Sequence, residues 1–229
     1  RKTSQITWKN GRNELIMIKR SATQNRRVLA PQVRKLQGSL RISSGSAKNR
    51  RLKVPDIEGM RAVQEKARHS IFSSIGTKLE NSTCLDLFAG SGVMGIEALS
   101  RGAKCCDFVD ENPMAVKAII ENIRNCGFDN EESQNSPTFD VYRSQSVKFI
   151  ANNDKKYDFI FVDPFYEDHS HKFLIKNLGE VLNKNGLVFF LHGKYLDIKN
   201  MLEGSNLRLE SERHFGKSYI SVLNLTTSQ

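Results

Sequence analysis

The sequence predicts an α/β fold: a doubly wound, mostly parallel sheet closed by an antiparallel hairpin, preceded by a small basic β-hairpin and a helix. Three observations carry that expectation. From residue 83 onward, short apolar runs alternate with helical stripes, the pattern of consecutive βα units. The last two runs, 207–215 and 218–225, follow one another directly across Gly216, which makes them a hairpin. A chain of 229 residues with 38% hydrophobic side chains is long enough to bury a core as one large domain with an appendage.

Each element has its own reason. Residues 40–45 (LRISSG) and 50–55 (RRLKVP) read as two short strands turning near Gly45 and Ser46, a hairpin studded with Arg41, Lys48, Arg50, Arg51 and Lys53. A helix over 63–76 places Ala67, Ile71, Phe72 and Ile75 on its apolar face and ends near Gly76. Then 83–88 (TCLDLF) is a buried strand, 92–102 (GVMGIEALSRG) a helix closing at Gly102, and 104–110 a second strand. In the next helix Asn112 can cap, Pro113 suits the first turn, Val116, Ile119, Ile120 and Ile123 form a stripe, and Gly127 stops it. A loop at 131–137 leads to a strand at 138–143, a helix at 147–152 and a strand from 157 that runs into a loop by 166. A helix at 171–182, a strand at 186–192 and a short helix near 195–203 precede the closing hairpin. This order divides the chain into a basic segment, 1–38, an appendage, 39–80, and a main domain, 81–229.

Charge is unevenly placed. Residues 1–70 hold 18 Lys and Arg against 4 Asp and Glu, whereas residues 71–229 hold 17 against 21. A cationic front on a near-neutral domain points to a polyanion, nucleic acid above all. Residues 1–37 carry Glu14 as their one acid, among Arg26, Arg27, Arg34, Lys35 and many Ser, Thr, Gln and Asn. That composition fits an organellar presequence or its remnant, and equally a flexible RNA-binding tail, so little order is expected before residue 38. An organelle, a chloroplast before a mitochondrion, is the expected compartment, with the cytoplasm as the alternative. No uncharged apolar run reaches about 18 residues, so no membrane partner is expected. Cys84, Cys105, Cys106 and Cys126 form no C-x-x-C pair and read as buried reduced thiols. His169 and His171 read as a polar turn, and no metal is expected.

In a doubly wound sheet, ligands lie at the C-terminal ends of the strands, where strand order reverses. The first loop there, DLFAGSG (86–92), opens a G-x-G-x-x-G at Gly90, Gly92 and Gly95. Such a loop suits the pyrophosphate of a dinucleotide or the phosphate-free S-adenosylmethionine, and glycines alone do not choose. Asp86 tilts the choice, because an acid is unwelcome beside a pyrophosphate and welcome beside a sulfonium and an ammonium. Asp110, ending the second strand, can take ribose hydroxyls in either class. The run FVDPFY (161–166) sets a carboxylate (Asp163), a rigid turn with a free carbonyl (Pro164) and an aromatic face (Tyr166) at the same edge, parts that suit an exocyclic amine on a planar base.

The stretches DLFAGSGVMGIEALSRGAKCCDFVDENPMAV and FVDPFY resemble the D-P-P-Y/F class of amino-methyltransferases, which have a Rossmann-like sheet. LRISSGSAKNRRLKVPDIEGMRAVQEKARHSIFSSI is similar, more narrowly, to the start of the RsmD type, which methylates the exocyclic N2 of a guanine in small-subunit ribosomal RNA. The likeness spans residues 39 to 226. It implies S-adenosylmethionine as cofactor, held by Asp86, Ala89, Gly90, Ser91 and Gly92 around its methionine part, by Asp110 at the ribose and by Gln145 near the adenine. It implies a catalytic clamp of Asp163, Pro164 and Tyr166, with Arg61 and Arg68 joining the hairpin cations on the RNA. The implied partner is ribosomal RNA or an assembling small subunit, met by a monomer. Phe165 stands where the class has a second Pro, which puts the rigidity of the clamp in question. An adenine or protein-glutamine methyltransferase would use nearly the same clamp, whereas a dinucleotide oxidoreductase or a non-catalytic RNA-binding protein would leave parts of it without work.

Overall fold

The computed structural model describes residues 16–17, 40–58, 63–129, 136–164, 171–194 and 196–226. Among the described residues eight strands form one sheet: β1 (Ile16–Met17), β2 (Thr83–Leu87), β3 (Cys105–Asp110), β4 (Thr138–Arg143), β5 (Tyr157–Val162), β6 (Leu182–Gly193), β7 (Leu207–Phe215) and β8 (Ser218–Leu225). Their spatial order is β1-β4-β3-β2-β5-β6-β8-β7. The run β4-β3-β2-β5-β6 is parallel, while β8, β7 and β1 join antiparallel. The expected α/β class and the mixed C-terminal hairpin are both present. Ile16–Met17 lies inside the segment expected to carry little order, and it pairs with Arg143 and Tyr142 along the outer edge of β4.

Strand alternation splits the core in two. Cys84, Cys106, Phe108, Phe159, Phe161 and Phe189 face one side, where they meet α1 (Glu65–Ile75), α2 (Val93–Ser100) and α3 (Pro113–Asn125). Leu85, Leu87, Val109, Ile160, Val162 and Phe190 face the other, under α4 (Ser146–Ala151), α5 (His171–Leu178) and α6 (Ile198–Leu202). Helices on both faces leave only the strand ends open to a ligand. The chain leaves β2 towards β3 and β4 on one side and returns to β5 on the other, so strand order reverses between β2 and β5.

Several local causes act as the sequence implies. Asn112 Oδ1 accepts the Met114 N–H at 2.8 Å and caps α3, with Pro113 as its first residue. Gly216 takes φ 62° and turns β7 into β8. Other elements differ. The hairpin at 40–55 is narrower than two strands: Arg41 and Arg51 form a lone antiparallel bridge, and the turn between them is bound to α2 instead of extending a ladder. Ile42, Ala47 and Leu52 share the apolar cluster of α1, α2 and α3, so this appendage rests on the main domain's core. The helix expected to run to 182 stops at Leu178, followed by a 3₁₀ turn at Gly179–Val181, because β6 starts early, at Leu182, pairing with Tyr157 across a register shift. His171 is buried at the start of α5, not in a polar turn. Of the cysteines, Cys84, Cys106 and Cys126 are buried and Cys105 is partly exposed.

Candidate active site

β2 ends at Leu87 and the chain turns at once into the glycine loop. Phe88 adopts a left-handed backbone (φ 56°), which a bulky side chain takes only when its surroundings hold it there. Its ring meets His171 edge-on at 5.8 Å between centroids. The Ala89 N–H donates to the Val109 carbonyl at 3.1 Å, which draws the loop across the end of β3. Gly90 (φ 54°) and Gly92 (φ 76°) make the left-handed turns that follow. Gly95 serves packing instead, since it lies inside α2, where a Cβ would collide with the Phe108 ring and Cys106 Sγ. The first two glycines shape the loop, and the third sets how closely α2 rides on β3.

Three carboxylates converge around this loop. Asp86 is 2% exposed, and its Oδ2 accepts the Gly95 N–H at 2.9 Å, in the first turn of α2 where a helix favours an anion. Asp110 accepts the Gly90 N–H at 2.9 Å on Oδ2 and the Asn112 N–H at 2.8 Å on Oδ1, so it registers the loop and the next helix together. Asp163 follows Val162, which pairs with Leu87 across the switch point, and the buried Pro164 comes next. Burial pushes all three acids up. Asp163 reaches about 7. Asp110 rises because of burial, against the pull of the Asn112 and Gly90 N–H groups. Asp86 rises well above the usual carboxylate range through burial, opposed by its bond to Gly95 and reinforced by the charges of Asp163 and Asp110.

Among the described residues no Lys or Arg forms an ion pair with any of these acids. A pocket edge with one buried and two half-buried acids, and among the described residues no cation paired with them, is chemically matched to a ligand that brings positive charge and hydroxyl donors. Ala89 and Ser91 are buried in the loop wall. Gln145 sits just past β4, exposed, with its carbonyl accepting the Phe149 N–H at 2.9 Å; the β3–β4 register pairs Asp110 with Arg143, so Gln145 shares the Asp110 edge. Arg61, Phe165 and Tyr166 lie outside the described residues.

The sequence profile of the family described as "Conserved hypothetical protein 95" matches residues 40–224. Relatives include YlbH of Bacillus subtilis strain 168, 31% identical over 161 residues covering 69% of this chain and 85% of that one. Ribosomal RNA small subunit methyltransferase D of Escherichia coli K12 is 29% identical over 149 residues, covering 65% and 69%. The chain belongs to this family, the RsmD type. Among solved structures, yhhF of Escherichia coli superposes with a TM-score of 0.67 at 24% identity, covering 82% of this chain and 98% of that one, a likeness of fold. The resemblance read from the glycine loop, D-P-F-Y and the basic hairpin is borne out, and the protein is a methyltransferase.

On this RsmD-type domain the cations expected to meet RNA separate into two groups. Arg41, Lys48, Arg50 and Arg51 are exposed, and Lys53 is exposed with its ammonium 2.9 Å from Glu121 Oε2. Ala47 is bonded to Ser100 at the C-terminal end of α2, whereas Lys53 is tied to Ser91 before its start through Asn122. The two anchor points flank α2, whose eight residues rise about 12 Å at 1.5 Å per residue. The exposed cations form one group on the hairpin that these bonds hold along α2. Arg68 is not part of it. It is 1% exposed, its Nη2 donates to the Arg41 carbonyl at 2.8 Å, and its Nε lies 3.5 Å from Glu97 Oε2. Burial pushes its guanidinium down and Glu97 pulls it back. It is a buried brace between α1, α2 and the hairpin, out of reach of any phosphate.

The sequence reading passed over two residues that build this arrangement. Glu97, fully buried in α2, accepts the Ser43 N–H (2.9 Å), Ser43 Oγ (2.6 Å) and Arg101 Nε (2.8 Å). Asn122, fully buried in α3, bonds both Lys53 and Ser91. An acid within the apolar run VMGIEAL and an amide between Ile119 and Ile123 were the available signals.

Proposed function

We propose that the protein transfers a methyl group from S-adenosylmethionine to the exocyclic N2 of a guanine in small-subunit ribosomal RNA. The observation that carries this reading is the placement of Asp163-Pro164 at the end of β5, across the switch point from Leu87 and within electrostatic reach of Asp86. The bound cofactor supplies an electrophilic methyl on a sulfonium. Asp86, Asp110 and the loop Ala89–Gly92 orient it, with Asp110 taking ribose hydroxyls, Gln145 beside the adenine, and the cluster of acids giving the cationic end a favourable potential.

The Asp163 carboxylate and the Pro164 carbonyl accept the two hydrogens of the amine, and Tyr166 stacks on the base once the guanine is turned out of its helix or loop. Positioning the nitrogen for in-line attack, plus an acceptor aimed at the charge growing on it, is the main contribution. The group of Arg41, Lys48, Arg50, Arg51 and Lys53 grips phosphates without reading bases. The name borne by the Escherichia coli relative supports ribosomal RNA as the substrate class. The deciding experiment is mass spectrometry of ribosomal RNA from cells lacking the protein. One methylguanine should disappear from small-subunit RNA and return with the wild-type gene but not with Asp163→Ala; an unchanged set of methylguanines removes the reading.

A further inference from the structure

The side chain of Asn122 is bonded on three sides. Its Oδ1 accepts the Lys53 N–H at 2.7 Å, and its Nδ2 donates to the Lys53 carbonyl and to the Ser91 carbonyl, each at 2.8 Å. The residue is fully buried, so each of these bonds replaces water that cannot enter, and losing one leaves an unsatisfied group in the core. Towards Lys53 it pairs with the backbone on both donor and acceptor, as a neighbouring strand would. Towards the site it fixes the residue that follows Gly90, whose N–H is held by Asp110. The preceding residue, Glu121, holds the Lys53 ammonium at 2.9 Å. One turn of α3 therefore grips the backbone and the charge of Lys53, and reaches the cofactor loop through one amide.

We infer that Asn122 is a positioning residue that couples RNA binding to cofactor binding, so that each ligand raises the affinity of the other. The inference rests on the function proposed above. A phosphate held by the Lys53 ammonium fixes the strap at 52–54 where its backbone meets the Asn122 amide. The Asn122 amide then holds Ser91 in place, and the cofactor meets a loop whose ordering cost has already been met. The coupling is reciprocal by linkage: a bound cofactor that fixes Ser91 holds Lys53 at its place in the group. In the other direction Glu121 competes with phosphate for the same ammonium.

The test measures the affinity of the full chain for S-adenosylhomocysteine by calorimetry, with and without saturating unmodified small-subunit ribosomal RNA transcript. The wild type should bind at least about 5-fold more tightly with RNA present, at the lower end of usual coupling between sites. Asn122→Asp keeps the shape but turns carboxylate oxygens towards two carbonyls, and the ratio should fall to near one. A second pair of variants acts from the other end: Lys53→Ala removes the ammonium through which a phosphate acts on the strap, so the ratio should fall towards one while the cofactor alone still binds, whereas Lys53→Pro also loses the N–H that Asn122 accepts and should weaken cofactor binding as well. A merely structural role for Asn122 would weaken both affinities and leave the ratio unchanged, and that result overturns the inference. So does a wild type that binds both ligands with a ratio of one, which leaves the proposed function standing; a wild type that binds neither overturns both.

Discussion

The two edges of one sheet carry comparable clusters of acids and settle them in opposite ways. At the N-terminal edge, Asp107 Oδ2 receives Lys155 Nζ at 2.8 Å and the Tyr157 hydroxyl at 2.7 Å, and the same ammonium reaches Asp140 at 3.2 Å. Burial pushes Asp107 up while Lys155 and Tyr157 pull it down; burial pushes Lys155 down, and its contacts with Asp107, Tyr142 and Asp140 outweigh that and raise it. That cluster has its cation built in. At the C-terminal edge Asp86, Asp110 and Asp163 receive backbone N–H groups or the charge of one another, and among the described residues no cation pairs with them. An internally compensated cluster holds strands together, whereas an uncompensated one is a place prepared for something from outside.

The sharpest way to break this contrast is at Asp163. Asp163→Ala should lower methyl transfer by about 10³-fold, the scale for removing a placed acceptor, while calorimetry still detects the cofactor. The ionisation of the same group gives a second reading. A carboxyl pushed up to about 7 is neutral below that pH and charged above it, so kcat/KM should rise as pH climbs through about 7. The raised value also means that the folded protein holds this proton more tightly than the unfolded chain does. Its contribution to stability is complete at low pH and is lost as pH rises towards about 7. A cationic ligand should relieve that loss. Preference for S-adenosylmethionine over neutral S-adenosylhomocysteine should therefore increase across the same range, and a flat ratio would separate Asp163 from the sulfonium.

Asp110→Ala frees the Gly90 and Asn112 N–H groups and should weaken cofactor binding by about 10- to 100-fold, the cost of hydrogen bonds to a charged partner. Lys155→Met probes the opposite edge. It strands Asp107, and denaturant unfolding should show a loss of about 1–2 kcal/mol, reduced from the fully buried case because the lysine is half exposed. Cofactor affinity should not change, and a parallel loss would erase the distinction between the edges. The smallest effect is expected at Glu121→Gln, which releases Lys53 and should tighten RNA binding by a few-fold at low salt, vanishing as salt screens the contact.

Much of this was legible in the residues. The ranges 138–143, 207–215 and 218–225 are the strands β4, β7 and β8, because period-two patterns bounded by turns leave little choice of register. Asp86, Asp110 and Asp163 could be placed at one edge because each ends or nearly ends a buried strand. Arg68 went astray because its charge was weighed above its position: it falls at the spacing of Ile71, Phe72 and Ile75, on the face α1 buries. Asn122 and Glu97 were invisible for a different reason. Their partners lie in the hairpin, at sequence separations of 69 residues for Asn122 and 54 for Glu97, and no local pattern announces such a pairing. The start of β6 at Leu182 was likewise fixed by its pairing with Tyr157, not by its own polar beginning.

The left-handed Phe88 at the base of the loop is a point where stability and activity can be traded. A backbone strained by about 1–3 kcal/mol at the base of the loop is a reserve that an engineer could reclaim. Phe88→Gly would release that strain while forfeiting the ring's contact with His171, and any gain in thermal tolerance would come with a slacker floor beneath the reacting groups. The ring also packs on the apolar cluster under α4, α5 and α6, so the burial lost offsets the strain released, and the variant should turn over more slowly with no net gain in stability.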